Sequence, residues 1–174
     1  VGQGSLRCHT TGDFNIAIGT QALCANTAGS NNVVVGSCAL RAANIGNITA
    51  IGFCALSSLN DTGYNNTAVG YLNQKSTTTG IANTSVGREA LKDNTTGGSN
   101  TAIGYISLTA NTTGSCNVAV GRDSLDSNTT GSGNVAVGAD ALQGNTTGAQ
   151  NVAVGEDALK SNSTADNNVA IGYQ

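Results

Sequence analysis

The chain has 174 residues, a formal net charge of −3 and only 10% charged residues; Pro, Met and Trp are absent and Gly occurs 24 times. That balance excludes a nucleic-acid-binding face, which has to be basic, and no apolar run reaches the length of a membrane-inserted span. The wealth of Ser, Thr, Asn and Gly would suit a disordered chain, but the apolar residues are locked to a period, which argues for packing.

From the N-terminus onward one glycine recurs, at positions 2, 19, 36, 52, 70, 87, 104, 121, 138, 155 and 172. The step is 17 residues, except for 16 from Gly36 to Gly52 and 18 from Gly52 to Gly70. A short period held from end to end is the mark of a repeat architecture. The short step is placed near Gly46-Asn47 and the extra residue between Leu56 and Asn60.

Each glycine closes a motif of the type Asn134-Val135-Ala136-Val137-Gly138. The residue before it is Val1, Ile18, Val35, Ile51, Val69, Val86, Ile103, Val120, Val137, Val154 or Ile171. Two residues earlier stand Ile16, Val33, Thr49, Thr67, Thr84, Thr101, Val118, Val135, Val152 and Val169. β-Branched residues at alternate positions predict a short strand with one consistent face. The residue between them is Ala in most coils, Val34 in one and Ser85 in another, so the opposite face is small. Four residues after the glycine comes a leucine, as at Leu23, Leu91, Leu108, Leu125 and Leu142, preceded by Ala or Ser. This predicts a second short apolar segment. Next comes Asn-Thr-Thr-Gly, at Asn94 to Gly97, Asn111 to Gly114, Asn128 to Gly131 and Asn145 to Gly148, which is turn chemistry. Each repeat reads as strand, corner, short strand, turn.

No coil of 17 residues can hold its own backbone hydrogen bonds, so the coils have to stack. The fold read from the sequence is all-β, a parallel β-solenoid (β-roll) of about ten 17-residue coils, one repeat domain over residues 1–174. At about 4.8 Å per coil it makes a rod of roughly 48 Å. The thinness of its core favours side-by-side association of several chains. One coil departs chemically: Asn73-Gln74 replaces the Ala-Leu pair, which marks a weak point or a contact site.

Repeats of this kind, Asn66-Thr67-Ala68-Val69-Gly70-Tyr71 with Ala-Leu and Asn-Thr-Thr-Gly, resemble the head repeats of trimeric autotransporter adhesins and related repeats in phage and virus fibres. The resemblance spans residues 1–174. It implies a left-handed β-roll, three chains side by side or a filament, and display outside the cell or on the virion surface. The expected function is an extracellular structural fibre or adhesin segment. Such a rod spaces or presents other domains, with surface glycans or a receptor as partners. With no initiator Met, no visible signal peptide and both ends in mid-repeat, the chain reads as a segment of a longer fibre.

Several residue sets are candidate sites. Asn15, Asn32, Asn66, Asn83, Asn100, Asn117, Asn134, Asn151 and Asn168 share one column, where stacked carboxamides form a ladder. The sequons at Asn94, Asn111, Asn128, Asn145 and Asn162 repeat at one place on the coil and predict an exposed glycan stripe, with Asn60 next. Cys38 and Cys54 occupy equivalent places in adjacent coils, and Cys8 and Cys24 are offset by one, so each pair is a disulfide candidate. Asp123, Asp140 and Asp157 share a column that a calcium ion or solvent could relieve.

No cofactor and no catalysis are expected. The lone histidine, His9, sits at a turn position where other coils have Asn, and the only acidic column is periodic. The competing function is a ligand-binding β-solenoid, for ice or glycans. Against ice, the threonines in each Thr-Thr pair are adjacent, so a strand would point them to opposite faces.

Overall fold

The computed structural model describes residues 2–173; Val1, the first member of the β-branched column, and Gln174 lie outside them. Ten strands of three residues follow one another: β1 (Ile16–Ile18), β2 (Val33–Val35), β3 (Thr49–Ile51), β4 (Thr67–Val69), β5 (Thr84–Val86), β6 (Thr101–Ile103), β7 (Val118–Val120), β8 (Val135–Val137), β9 (Val152–Val154) and β10 (Val169–Ile171). They form one parallel sheet in chain order. There is no helix among the described residues. The chain is a β-solenoid of about nine turns, and nine strand spacings make its sheet about 43 Å long.

The strands keep register through both irregular coils: Val33 pairs with Thr49, and Thr49 with Thr67. The length changes are absorbed in the turns, each slightly displaced from its expected place. In regular coils the carbonyl of Thr112 accepts from the N–H groups of Thr95, Thr96 and Gly97. In the short coil Asn44 stands there, and its side-chain Oδ1 accepts from Thr27, Ala28 and Gly29 at 2.8–3.2 Å. A side-chain carbonyl thus replaces the backbone carbonyl lost with the missing residue. In the long coil Leu59 still occupies the usual turn-entry place, with its N–H on Leu56 O. The extra residue falls after it, in the turn Asn60–Thr62, where Asn60 Oδ1 accepts from the N–H and hydroxyl of Thr62.

Of the two faces that the alternation defines, the small one points inward. Ala50, Ala68, Ala102, Ala119, Ala136 and Ala153 are fully buried, whereas the β-branched residues on either side face outward. Leu23, Leu40, Leu56, Leu91, Leu108, Leu125 and Leu142 fill the interior from the opposite wall. A coil this narrow has room for one large side chain facing one small one. Each buried leucine contributes about 1.5–3 kcal/mol.

The Ala-Leu segment is not a strand. Its residues two and four places after the glycine, such as Asp123 (φ 54°) and Leu125 (φ 52°), are left-handed in coil after coil. Left-handed residues break an extended run, yet the segment still bonds to the next coil, as from Leu91 N to Ser107 O at 3.0 Å. The register glycine turns the corner at φ 128–145° from Gly19 to Gly172. A Cβ on Gly87 would run into the carbonyl of Gly104, so only glycine fits.

Two substitutions test which side of the strand is inside. Leu125→Ala should cost about 2–5 kcal/mol by opening a cavity, and Ala119→Leu about 1–3 kcal/mol by overpacking. Both are read by urea unfolding. A neutral Ala119→Leu would put the alanine column on the surface.

Candidate functional site: the side-chain ladders of the rod

The interior carries two asparagine ladders. In the first, each carboxamide oxygen accepts the backbone N–H of its equivalent in the next coil: Asn83 N to Asn66 Oδ1 (2.9 Å), Asn100 N to Asn83 Oδ1 (2.9 Å), and onward to Asn168. Asn15 and Asn32 make the same contact at 3.2 Å. Ile48 interrupts the run between Asn32 and Asn66 and is itself buried.

The second ladder is built from the sequon asparagines, and it corrects the expected glycan stripe. Asn94, Asn111, Asn128 and Asn145 are fully buried. Asn128 Nδ2 donates to Asn111 Oδ1 (2.9 Å) and to Gly131 O (3.0 Å). Asn145 repeats this on Asn128 Oδ1 and Gly148 O, and half-exposed Asn162 on Asn145 Oδ1 and Ala165 O. Both amide protons are committed, so a sugar on that nitrogen would break two bonds inside the core. Exposed sequons exist at Asn47, Asn60 and Asn65, but they form no stripe. The ladders meet at the turn glycine: Gly131 O accepts from Asn117 (2.9 Å) and Asn128 (3.0 Å) alike. His9 lies 3.4 Å from Asn26 Nδ2 in the same column, which Ala43, Leu59 and Thr77 separate from Asn94.

The acidic column is neutralised by cationic side chains. Arg122 bridges Asp123 and Asp140, and Lys160 bridges Asp140 and Asp157. Glu89 is held by Arg88 and Lys92, and its hydrogen bond to Lys92 lowers its pKa from the ordinary carboxylate value. Burial raises the pKa of the neighbouring Asp126. No group of three His, Cys, Asp or Glu residues able to hold a metal occurs among the described residues. Ion pairs within the chain thus stand where the sequence allows solvent or a calcium ion as the relief for Asp123, Asp140 and Asp157.

The residue after the register glycine forms an outer column that pattern reading missed. Phe53 and Tyr71 stack with centroids 5.6 Å apart, and Arg88 lies over both Tyr71 (5.7 Å) and Tyr105 (5.5 Å). The signal was present in the sequence, since all four directly follow the glycine.

Of each Thr-Thr pair, the first spends its hydroxyl on the next coil, as from Thr112 Oγ1 to Thr129 O at 3.0 Å. Only the second, such as Thr113 or Thr130, is exposed. The array is a single file rather than a plane of hydroxyls.

All five cysteines are free thiols. Cys38 and Cys54 lie against each other at equivalent corners, and burial together with the Cys38 thiol raises the pKa of Cys54. Cys8 N donates to Cys24 O at 3.2 Å, which places that pair in adjacent coils. Cys116 is exposed on another corner.

Comparison with protein-family models, curated proteins and solved structures found no match.

Removing one rung should destabilise far more than removing an exposed sequon. Asn128→Ala leaves one amide proton of Asn145 and the Asn111 Oδ1 acceptor unpaired, removes one of two bonds to Gly131 O, and is expected to cost about 2–4 kcal/mol. Asn60→Ala gives up two exposed hydrogen bonds from Thr62 and should cost no more than about 1 kcal/mol. Thermal unfolding of the two variants separates them.

Mild oxidation should join Cys38 to Cys54 in one chain, faster as the pH rises, because the thiolate is the attacking species and Cys54 ionises late. Non-reducing peptide mapping shows the link; a Cys38–Cys116 link within one chain would overturn the stacking register.

Proposed function

We propose that this chain is a segment of an extracellular structural fibre or adhesin, a rod that spaces or presents other domains at a cell or virion surface and assembles side by side with copies of itself. The observation that carries the reading is the outward face of the sheet. None of its strand positions bears a charge, and it is built of Val, Ile and a few Thr from β1 to β10. Ile16 is 51% exposed, Ile103 40% and Val154 36%. Parallel sheets are normally covered on both faces, and a contiguous apolar stripe marks an interaction surface. Here the stripe runs the length of the rod and repeats with the coil.

A second copy is the partner that suits this face, because it offers ridges at the same spacing. Three chains is the number that the likeness to adhesin head and fibre repeats implies. The asparagines of the two interior ladders are spent on stacking, which supports a mechanical role. The rigid, evenly spaced corners would display whatever surface residues contact a receptor or glycan. Ice or glycan binding by an isolated solenoid remains the competing function, and it would leave the apolar face in water.

Light scattering should give a mass that is a multiple of the 17.2 kDa chain. Val137→Arg with Val154→Arg should dissociate the assembly while the β circular dichroism persists. A native chain that stays monomeric at high concentration would refute the assembly.

A further inference from the structure

We propose that the rod consists of two cooperative folding units that meet at the coil between Gly70 and Gly87, where a buried polar cluster interrupts the core. One apolar cluster runs from Ala17 to Ala68 and a second from Ala90 to Ala158. Between them the interior is filled by Asn73, Gln74, Thr77 and Ser85, all fully buried. Ser85 is the one hydroxyl in the inward strand column, and it lies in the same coil as the one Asn-Gln pair.

These polar groups answer one another across the coil. Gln74 Nε2 donates to Ser85 Oγ (2.7 Å) and Thr67 O (3.0 Å). The Ser85 hydroxyl donates to Asn73 Oδ1, and Asn73 Nδ2 donates to Gly87 O at 2.9 Å. Most of the bonds close within the coil or onto the backbone, and the one side-chain bond from this cluster to a neighbouring coil, Asn94 Nδ2 to Thr77 Oγ1, is long at 3.5 Å. Gln74 Oε1 is buried with no partner. An unsatisfied acceptor in a low-dielectric interior destabilises its surroundings.

In a stacked repeat, cooperativity comes from the coupling between neighbouring coils. At this coil the backbone ladder continues, with Thr67 opposite Thr84 and Thr84 opposite Thr101. What is lost is the apolar contact of the core, while the asparagine rungs through Asn83 and the outer contacts of Tyr71 persist. The units on either side are also built differently. The N-terminal one buries Ala43, Ile48 and Leu59 where the C-terminal one buries asparagines. Unequal interiors confer unequal stabilities, so weak coupling lets the two open separately. The rod is continuous when folded and yields first on one side of this coil.

The test is native-state hydrogen exchange on the intact, assembled chain in rising urea. Amides of β2 to β4 should merge into one opening curve and those of β6 to β9 into another. At matched urea their rates should differ by about ten-fold or more. Each curve should have about half the urea slope of whole-chain unfolding, since slope scales with exposed surface. The variant Asn73→Ala, Gln74→Leu, Ser85→Ala restores the apolar column and should fuse the two curves into one steeper curve. A single common curve in the native chain overturns the proposal, as does a folded variant that keeps two curves. If the variant does not fold, the native curves alone decide. Assembly through the outer face is read separately by mass, so its failure is distinguishable from this one.

Discussion

Hydrogen bonding by buried carboxamides is the interaction on which this structure depends. A 17-residue coil encloses too little space for a conventional apolar core, and its turns leave carbonyls pointing inward. The asparagine side chain meets both conditions, with one acceptor and two donors on a short stem. Asn117 and Asn128 reach the same Gly131 carbonyl from two sides, and each passes its own oxygen to the next coil. Every rung satisfies the groups that the rung below would leave orphaned. The spacing between coils is therefore set by bond length as well as by the backbone ladder.

The same narrowness explains the distribution of apolar residues. With Leu125 filling the coil from one wall, the facing strand can present only Ala119 or Ala136 inward, and its β-branched neighbours are forced out. A strand with Val or Ile on its outer face and Ala within can leave water on that outer face only by meeting another surface. Interior economy and exterior stickiness are one constraint seen from two sides. At the charged corners Arg122 and Lys160 stitch neighbouring aspartates, so charge is carried there without adding repulsion between coils.

Irregular coils show how much variation this scheme tolerates. Asn44 lends its side-chain carbonyl where a backbone carbonyl is missing, and Asn60 closes a wider turn on Thr62. Both changes sit in turns and leave the strands in register. The Asn73-Gln74-Ser85 set is another kind of variation, a change of chemistry at constant length. It retains the coil's shape and surrenders its apolar contact with the neighbouring coils.

Period, strand position and stacking register were legible in the sequence, because glycine spacing and β-branched alternation are local signals and stacking in register follows from a repeat of nearly constant length. The columns of equivalent residues followed from that register, including the asparagines before each strand and the cysteines in adjacent coils. Which face of each three-residue strand points inward was decided only by the tertiary structure. Alternation states that two faces differ, but the width of the coil determines whether the large or the small one fits inside. The sequon asparagines show the same limit. Asn-Thr-Thr-Gly announces a turn, and turns are ordinarily exposed. Only closure of the coil reveals that Asn128 turns its amide inward to bond the coil before it.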